Sequence, residues 1–361
     1  MRNTLGDNLT LTLFGESHGP LIGAVLDGIQ AGVKVDESFI KLMLSKRRPQ
    51  KDIETKRIEM DEFEIVSGVF NGYTTGAPLT ILIKNQNIIS KDYSELKKVM
   101  RPSHADYPAY IKYQGFNDYR GGGHFSGRIT AAIVAVGSIL IQALRDKGIY
   151  IGTHIKKCGN VIDKDFSVDA FEVQELLNKD FPVLENIEED IKNVIKKAKD
   201  NNDSVGGILQ TAIVGLPVGL GSEWFSSVEG KLANACFSIG GVKGIEFGLG
   251  FDFSNKLGST ANDQIYIKEG IVKTYTNNNG GINGGITNGM PVIFNLAIKP
   301  TPSIKLEQHT INVEKLENVT LELQGRHDPA IIRRMVVVIE SITALVVCDL
   351  LKEKYGENFL K

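Results

Sequence analysis

The chain predicts an α+β fold in which helices and antiparallel strands share one core, with residues 1–361 forming a single large domain. Three observations carry that expectation. Short stretches with a period of two, such as Leu9, Leu11 and Leu13 alternating with Thr10, Thr12 and Phe14, read as strands that end in tight turns. Two long apolar runs, 129–144 and 335–351, read as core helices. No linker interrupts the chain, and no repeat of roughly 20–50 residues marks a solenoid or propeller.

Taken in order, the strand at 9–14 runs into the turn G-E-S-H-G at 15–19, and a second strand, Leu21 to Leu26, closes at Asp27-Gly28. Asp36 reads as the N-cap of a helix carrying Phe39, Ile40, Met43 and Leu44 on one face, ended by Pro49. Residues 64–70 and 79–83 pair as strands around Asn71-Gly72 and Thr75-Gly76-Ala77-Pro78. A Pro- and aromatic-rich stretch, 101–120, leads to a glycine run and then to the helix from Ile129 to Leu144, apolar all round. The charged, glycine-poor segment 164–203 has a helical pattern, and Asn201-Asn202-Asp203 turns into an apolar strand at 206–215. A helix at 227–238, a glycine loop from Gly240, an Asn-Gly loop at 277–289, a strand reaching K-P-T-P-S at 299–303 and a last helix from about 331 complete the chain.

With 42% hydrophobic residues the 361-residue chain is long enough to bury a substantial core without disulfides or structural metal. Lys plus Arg (41) nearly cancel Asp plus Glu (43), which argues against a protein that coats nucleic acid or anionic lipid. Three widely spaced cysteines, Cys158, Cys236 and Cys348, fit a reducing compartment and offer no thiolate zinc site. The opening M-R-N-T-L-G-D-N-L-T lacks a signal peptide's basic flank and apolar stretch, the first apolar run is too short to span a bilayer, and the second contains Glu340 and Asp349. The expectation is a cytoplasmic protein with no membrane and no nucleic-acid partner. The 38 glycines, about one and a half times ordinary usage, show no Gly-X-Y period and so belong in turns and backbone-lined pockets.

Standard phosphate-loop, dinucleotide, zinc-protease and serine-elbow motifs are absent, which removes nucleotide hydrolases and ordinary Rossmann dehydrogenases. The six histidines are therefore informative, because imidazole is the one side chain whose charge changes near neutrality. In G-E-S-H-G, Ser17 and His18 either cap a tight turn or place an acid beside a phosphate or flavin. In R-P-S-H-A-D, His104 and Asp106 form a metal pair, an orienting dyad or loop decoration. The run R-G-G-G-H-F-S-G-R at 120–128 is an anion site at a helix start or a flexible turn. K-R-R-P-Q-K at 46–51 is a solvated helix end or a phosphate clamp. In G-R-H-D-P at 325–329, local rules favour Asp328 as the N-cap of the last helix with Pro329 at its first position.

Together and in this order, these segments, with G-V-K-G-I-E-F-G-L-G-F, N-N-N-G-G-I-N-G-G-I and K-P-T-P-S, resemble the chorismate synthase family from about residue 10 to about residue 340. The resemblance implies a β-α-β sandwich with long core helices between antiparallel sheets, assembled as a homotetramer. It also implies a lyase of the shikimate pathway that removes phosphate and a C6 hydrogen from 5-enolpyruvylshikimate 3-phosphate in an anti 1,4-elimination. The family needs reduced FMN although no net redox change occurs, and NADPH is a candidate reductant. By resemblance, His18 would protonate the departing phosphate, His104 would stabilise or protonate the reduced flavin, and Asp328 with Ser17 would manage the flavin N5 proton. Arg326 would touch flavin and substrate, and His124, Phe125, Ser126, Gly240, Gly241, Gly284, Lys299, Pro300, Thr301, Pro302 and Ser303 would hold the flavin. Arg47, Arg48 and Arg120 would hold the substrate or NADP phosphates, since guanidinium binds phosphate through two parallel hydrogen bonds. No residue is assigned to a metal.

Three positions depart from the family pattern. His124 stands where many members have Arg, Ile53 where a further basic-loop Arg is common, and Ala330 where Cys is frequent. Two other classes compete: a metal-dependent phosphohydrolase using His18, His104, Asp106 and Asp328, and a nucleotide- or RNA-binding module on the glycine loops, which near-zero net charge disfavours.

Overall fold

Alternating side chains that face inward from two antiparallel sheets enclose a pair of apolar helices. The computed structural model describes residues 3–50, 53–54, 60–86, 97–323 and 328–360. One sheet orders its strands Thr4–Leu5, Thr10–Gly15, Leu21–Asp27, Leu79–Lys84 and Phe63–Ser67. Its register pairs Leu11 with Leu26 and Leu26 with Leu79, which lines buried side chains along one face. The other sheet runs Val242–Phe247, Val292–Ile298, Gly207–Val214, Tyr150–Cys158 and Val161–Ile162, again antiparallel throughout.

Between the sheets, the helix Thr130–Asp146 packs on strands Leu21–Asp27 and Leu79–Lys84, while Ile332–Tyr355 packs on Tyr150–Cys158 and Gly207–Val214. The two helices pack on each other, so the β-α-β sandwich is the observed architecture. By length and composition the segment Gly127–Asp146 could cross a membrane, yet 78% of its apolar window is buried inside the protein. It is apolar on all sides because protein surrounds it.

Asp36 caps the helix Glu37–Lys46 as expected, accepting from the Ser38 and Phe39 amides at 2.9 and 3.2 Å. Two elements differ from the reading of the chain. The supposed glycine loop after Gly240 contains the strand Val242–Phe247, which pairs with Val292–Ile298 across a bulge between Val242 and Gly244. The strand Tyr150–Cys158 gave no alternating signal because the last helix covers one face and the short helix Val173–Leu176 the other, burying five consecutive residues from Ile151 to Ile155. The charged segment carries one full helix, Glu188–Asp200, with Ile191 and Ile195 turned inward.

Gly137 marks where the two long helices touch: a Cβ there would lie 2.4 Å from the Ser341 Cβ and 2.7 Å from its Cα. Glycine in a helix costs about 1 kcal/mol against alanine, so its presence reflects the closeness of the two backbones. Gly137→Ala should therefore destabilise the protein by about 1–3 kcal/mol despite alanine's better propensity; a gain in urea midpoint would contradict the close contact.

Glu340 lies buried on the last helix and accepts from the Thr153 amide at 3.0 Å. Desolvation pushes its carboxyl from 4.5 to about 7. The folded state then holds a proton that the unfolded chain releases between these values, so Glu340 costs stability progressively as pH rises through that window. Glu340→Gln should gain on the wild type between pH 5 and 8, by up to about 3 kcal/mol at the upper end; a pH-independent difference between their denaturation midpoints would refute this.

Candidate active site

Three consecutive glycines place the two histidine motifs side by side. Gly121, Gly122 and Gly123 have φ of 58°, 84° and 54°, a left-handed path that side chains rarely follow. A Cβ on Gly121 would fall 2.3 Å from His18 Cε1, 2.4 Å from its Nδ1 and 3.0 Å from Ser17 Oγ, while one on Gly122 would lie 3.4 Å from His104 Cε1 and 3.6 Å from its Nε2. The bare backbone of this run is therefore the wall between His18 and His104. The strand Thr10–Gly15 delivers the turn carrying Ser17 and His18, both buried, and the Ser17 amide donates to the Gly123 carbonyl at 3.1 Å.

The loop after Val292–Ile298 joins this cluster. Lys299 Nζ donates to the Ser103 carbonyl at 2.6 Å, Arg101 Nη1 approaches Ser303 Oγ at 3.4 Å, and the Lys299 amide donates to the Gly241 carbonyl at 2.9 Å. Burial, with Lys243 nearby, pulls the Lys299 ammonium below its usual range. Ser204 Oγ donates to the Thr301 carbonyl at 2.7 Å, and a Cβ on Gly206 would meet Pro300 Cδ at 2.9 Å; Pro302 completes the same turn.

His104 Nδ1 lies 2.6 Å from Asp106 Oδ1, and Arg101 pairs with the same carboxylate, which makes the orienting dyad the arrangement present. Burial drives the Asp106 carboxyl upward, but hydrogen bonds from Arg101 and His104 outweigh it and hold the group well below the usual carboxylate range. His124 donates Nδ1–H to the Gly15 carbonyl at 2.8 Å, so it braces the turn that carries His18. Phe125 is half exposed beside Tyr113, and Ser126 Oγ accepts from the Arg128 amide at 3.3 Å.

The basic segment divides into two kinds of arginine. Arg47 is 6% exposed, with Nη1 on Asp61 Oδ2 at 2.7 Å and Nη2 on the Gly127 carbonyl and Thr130 Oγ1 at 3.2 and 3.0 Å. Asp61 also binds Arg128, whose Nε donates to Asn85 Oδ1 at 3.0 Å; Asn85 in turn donates to the Glu16 and Gly19 carbonyls at 2.9 and 2.8 Å. A polar chain thus runs from Arg47 to the Ser17–His18 turn. Arg48 reaches the Met60 carbonyl at 3.0 Å, and its buried Nε has no hydrogen-bond partner among the described residues. Arg120 grips Asp118 with Nε at 2.9 Å and Nη2 at 2.8 Å; those hydrogen bonds, with a contribution from His18, keep Asp118 below the usual range.

Asp328 does not cap the last helix, which begins at Ile332 with Ile331 as an N-cap that offers no side-chain bond. Instead it pairs with Arg334, whose Nε binds the Arg47 carbonyl at 2.7 Å. An ion pair one turn into the helix outcompetes a cap that would have required the helix to start three residues earlier. Arg333 grips Glu54 at 3.1 and 2.6 Å and the carbonyls of Lys46 and Arg48. Ile53 packs in the main core, and Ala330 is buried. Arg326 and His327 lie outside the described residues.

Gly284 stands apart. It belongs to the small hairpin Ile282–Asn283 and Ile286–Thr287, at the Val292 end of a seven-residue strand whose other end leads to Lys299; at ~3.3 Å per residue that strand is about 20 Å long. Gly240 and Gly241 lie on the Lys299 side. Asp61, Asn85, Arg101, Arg333 and Arg334 went unread as site residues; Arg101 was signalled by its place at the head of R-P-S-H-A-D, and Arg333 and Arg334 by their pairing at the start of the last helix.

These features suit a flat, anionic cofactor such as FMN. The glycine run offers bare backbone, Lys299 a cation, and Thr301 Oγ1 is buried with no hydrogen-bond partner among the described residues. The phosphohydrolase alternative needs three or more carboxylate and imidazole ligands drawn together, and among the described residues no such group occurs.

Comparison with known proteins identifies the family. The family model described as chorismate synthase matches residues 9–351. Chorismate synthases of Thermococcus gammatolerans and Pyrococcus abyssi are 43% and 44% identical, covering 99% and 95% of this chain and 99% and 96% of their own. That of Methanocaldococcus jannaschii is 41% identical over 97% of this chain and 96% of its own. A crystal structure of chorismate synthase superimposes with a TM-score of 0.76 at 31% identity, covering 97% of this chain and 94% of that one. With the sandwich, the paired histidine motifs and these matches in agreement, the chain belongs to the chorismate synthase family.

Proposed function

We propose that the glycine wall flanked by His18 and His104 is where this lyase eliminates phosphate and the C6 hydrogen of 5-enolpyruvylshikimate 3-phosphate to give chorismate. The observation that supports the reading is the convergence of Ser17, His18 and His104 on one glycine wall. No carbonyl acidifies the hydrogen that leaves, so a base alone faces a high barrier; reduced FMN, when bound, supplies the electron density that helps expel phosphate.

In this reading His18, buried beside Ser17, delivers a proton to the phosphate oxygen as its bond to carbon breaks. His104 presents a proton or a positive charge toward the cofactor. Asp328 and Ser17 would hold a proton at flavin N5, and Arg326 would contact both ligands. His124, Phe125, Ser126, Gly240, Gly241 and the loop Lys299–Ser303 would hold the flavin, with Gly284 outside this group. Arg48 and Arg120 bind the anionic substrate or the NADP phosphates, and Arg47 anchors the segment from below. NADPH as reductant, a homotetrameric assembly, a cytoplasmic location, and the absence of membrane and nucleic-acid partners complete the proposal.

Chorismate should form under nitrogen from photoreduced FMN, unaffected by EDTA, and comparison with NADPH plus oxidised FMN reads any intrinsic reductase. Failure with photoreduced FMN would overturn the assignment. His18→Ala and His104→Ala should each slow turnover by about ten- to ten-thousand-fold with melting unchanged; wild-type rates would remove the residue from its role.

The two arginines separate by experiment. Arg47→Ala strips one partner from a buried pair and should cost about 3–5 kcal/mol of stability, whereas Arg48→Ala should raise KM with melting near that of the wild type. Equal effects on stability would erase the distinction.

A further inference from the structure

We propose that Asp106 is a positioning residue for His104, fixing the ring so that Nδ1 carries a proton and Nε2 faces the glycine run; the proposal rests on His104 working in the site just described. Asp106 and Arg101 have side chains 10% and 8% exposed, and four donors converge on the carboxylate. These are His104 Nδ1 at 2.6 Å, Arg101 Nε at 2.7 Å, Arg101 Nη2 at 2.8 Å and the Arg101 amide at 3.1 Å.

Arg101 keeps the carboxylate ionised, and an ionised carboxylate only accepts hydrogen bonds. The same Arg101 Nη2 lies 3.1 Å from His104 Nδ1 and only donates, so two neighbours make opposite demands on one nitrogen. The shorter contact, which is charge-assisted, decides in favour of Nδ1–H. Nε2, the nitrogen 3.6 Å from where a Gly122 Cβ would sit, is then the atom left to gain or lose a proton.

The charges around the ring define what Asp106 contributes. Arg101 and Asp106 face it from its own loop, Lys299 Nζ sits on the Ser103 carbonyl at 2.6 Å, and His18 lies across the glycine wall. Because Arg101 already balances the Asp106 charge, the carboxylate supplies orientation and tautomer more than added basicity. Arg101 also approaches Ser303 Oγ at 3.4 Å, which ties the ring's setting to the loop after Lys299. An amide at position 106 would turn its NH₂ toward Nδ1 and drive the ring proton to Nε2, the wrong-tautomer effect known from Asp-to-Asn changes in catalytic triads.

Side-chain ¹⁵N NMR of the full-length protein without added cofactor reads the tautomer directly, and neutral His104 should carry its proton on Nδ1; the Nε2–H form would overturn the proposal. Asp106→Asn should switch the tautomer, lower kcat by about 10²–10⁴-fold with KM little changed, and shift the pH profile of kcat, with partial rescue by Asp106→Glu. An unchanged tautomer or a wild-type kcat in Asp106→Asn would equally overturn it. Should that variant not fold, the wild-type spectrum alone decides. A wild type that makes no chorismate while showing Nδ1–H would sink the elimination reading and leave the dyad standing.

Discussion

The close contact between the two buried helices at Gly137 and Ser341 is the constraint on which the rest of the molecule depends. Two helices that are apolar on every side leave water only if each has a sheet on one flank and its partner on the other. Their polar beginnings then have to emerge from the core, and both emerge at the same place. The Thr130 helix begins with the glycine run and Arg128, and the Ile332 helix begins behind Asp328 with Arg333 and Arg334. The site is built from what the sandwich could not bury.

Lys46 to Arg48 is the joint between these two beginnings. Its carbonyls end the first helix without intrahelical partners, and Arg333 and Arg334 satisfy them while Arg47 reaches the other way to Gly127 and Thr130. Buried ion pairs of this kind contribute little net stability, because desolvating each charge offsets most of the attraction. What they supply is registry: Asp61 can satisfy both Arg47 and Arg128 only when the basic segment, the Asn85 turn and the helix start are in one relative position. The same logic holds at the other end of the chain, where buried Asp349 accepts the amides of Asp7, Asn8 and Leu9 and fixes the edge of the first sheet to the last helix.

The elements most readily read from the chain were those with one buried face and the long helices buried on every side. Leu9 to Phe14, the Asp36-capped helix and both long helices follow from periodicity and caps alone. Tyr150–Cys158 stayed hidden because burial on both faces erases alternation, and Val242–Phe247 because its glycines mimic a loop while serving a bulged strand. In the site, Ser17, His18 and His104 were legible as reactive residue types in turns. Asp61 and Asn85 were not, since a single carboxylate or amide in a loop gains meaning only from the partners that long-range packing brings to it. Asp328 shows the opposite failure: local capping rules were sound, and an arginine six residues away overrode them.

Among the described residues, most arginines around the site are paired with a carboxylate: Arg47 and Arg128 share Asp61, Arg101 holds Asp106, Arg120 holds Asp118, Arg333 holds Glu54 and Arg334 holds Asp328. This lets a chain with net charge −2 gather several arginines in one region without leaving most of them uncompensated. It also bears on how an anion would bind there. Unpaired guanidiniums would attract phosphate more strongly at long range but would pay for each side chain that has to be ordered on contact. Guanidiniums already clamped by carboxylates present their remaining N–H groups in fixed directions, so little reorganisation is left for the moment of binding or of bond breaking. The pairing gives up raw attraction for aim, which suits a reaction in which the departing group and the stationary group are both anionic and only their geometry tells them apart.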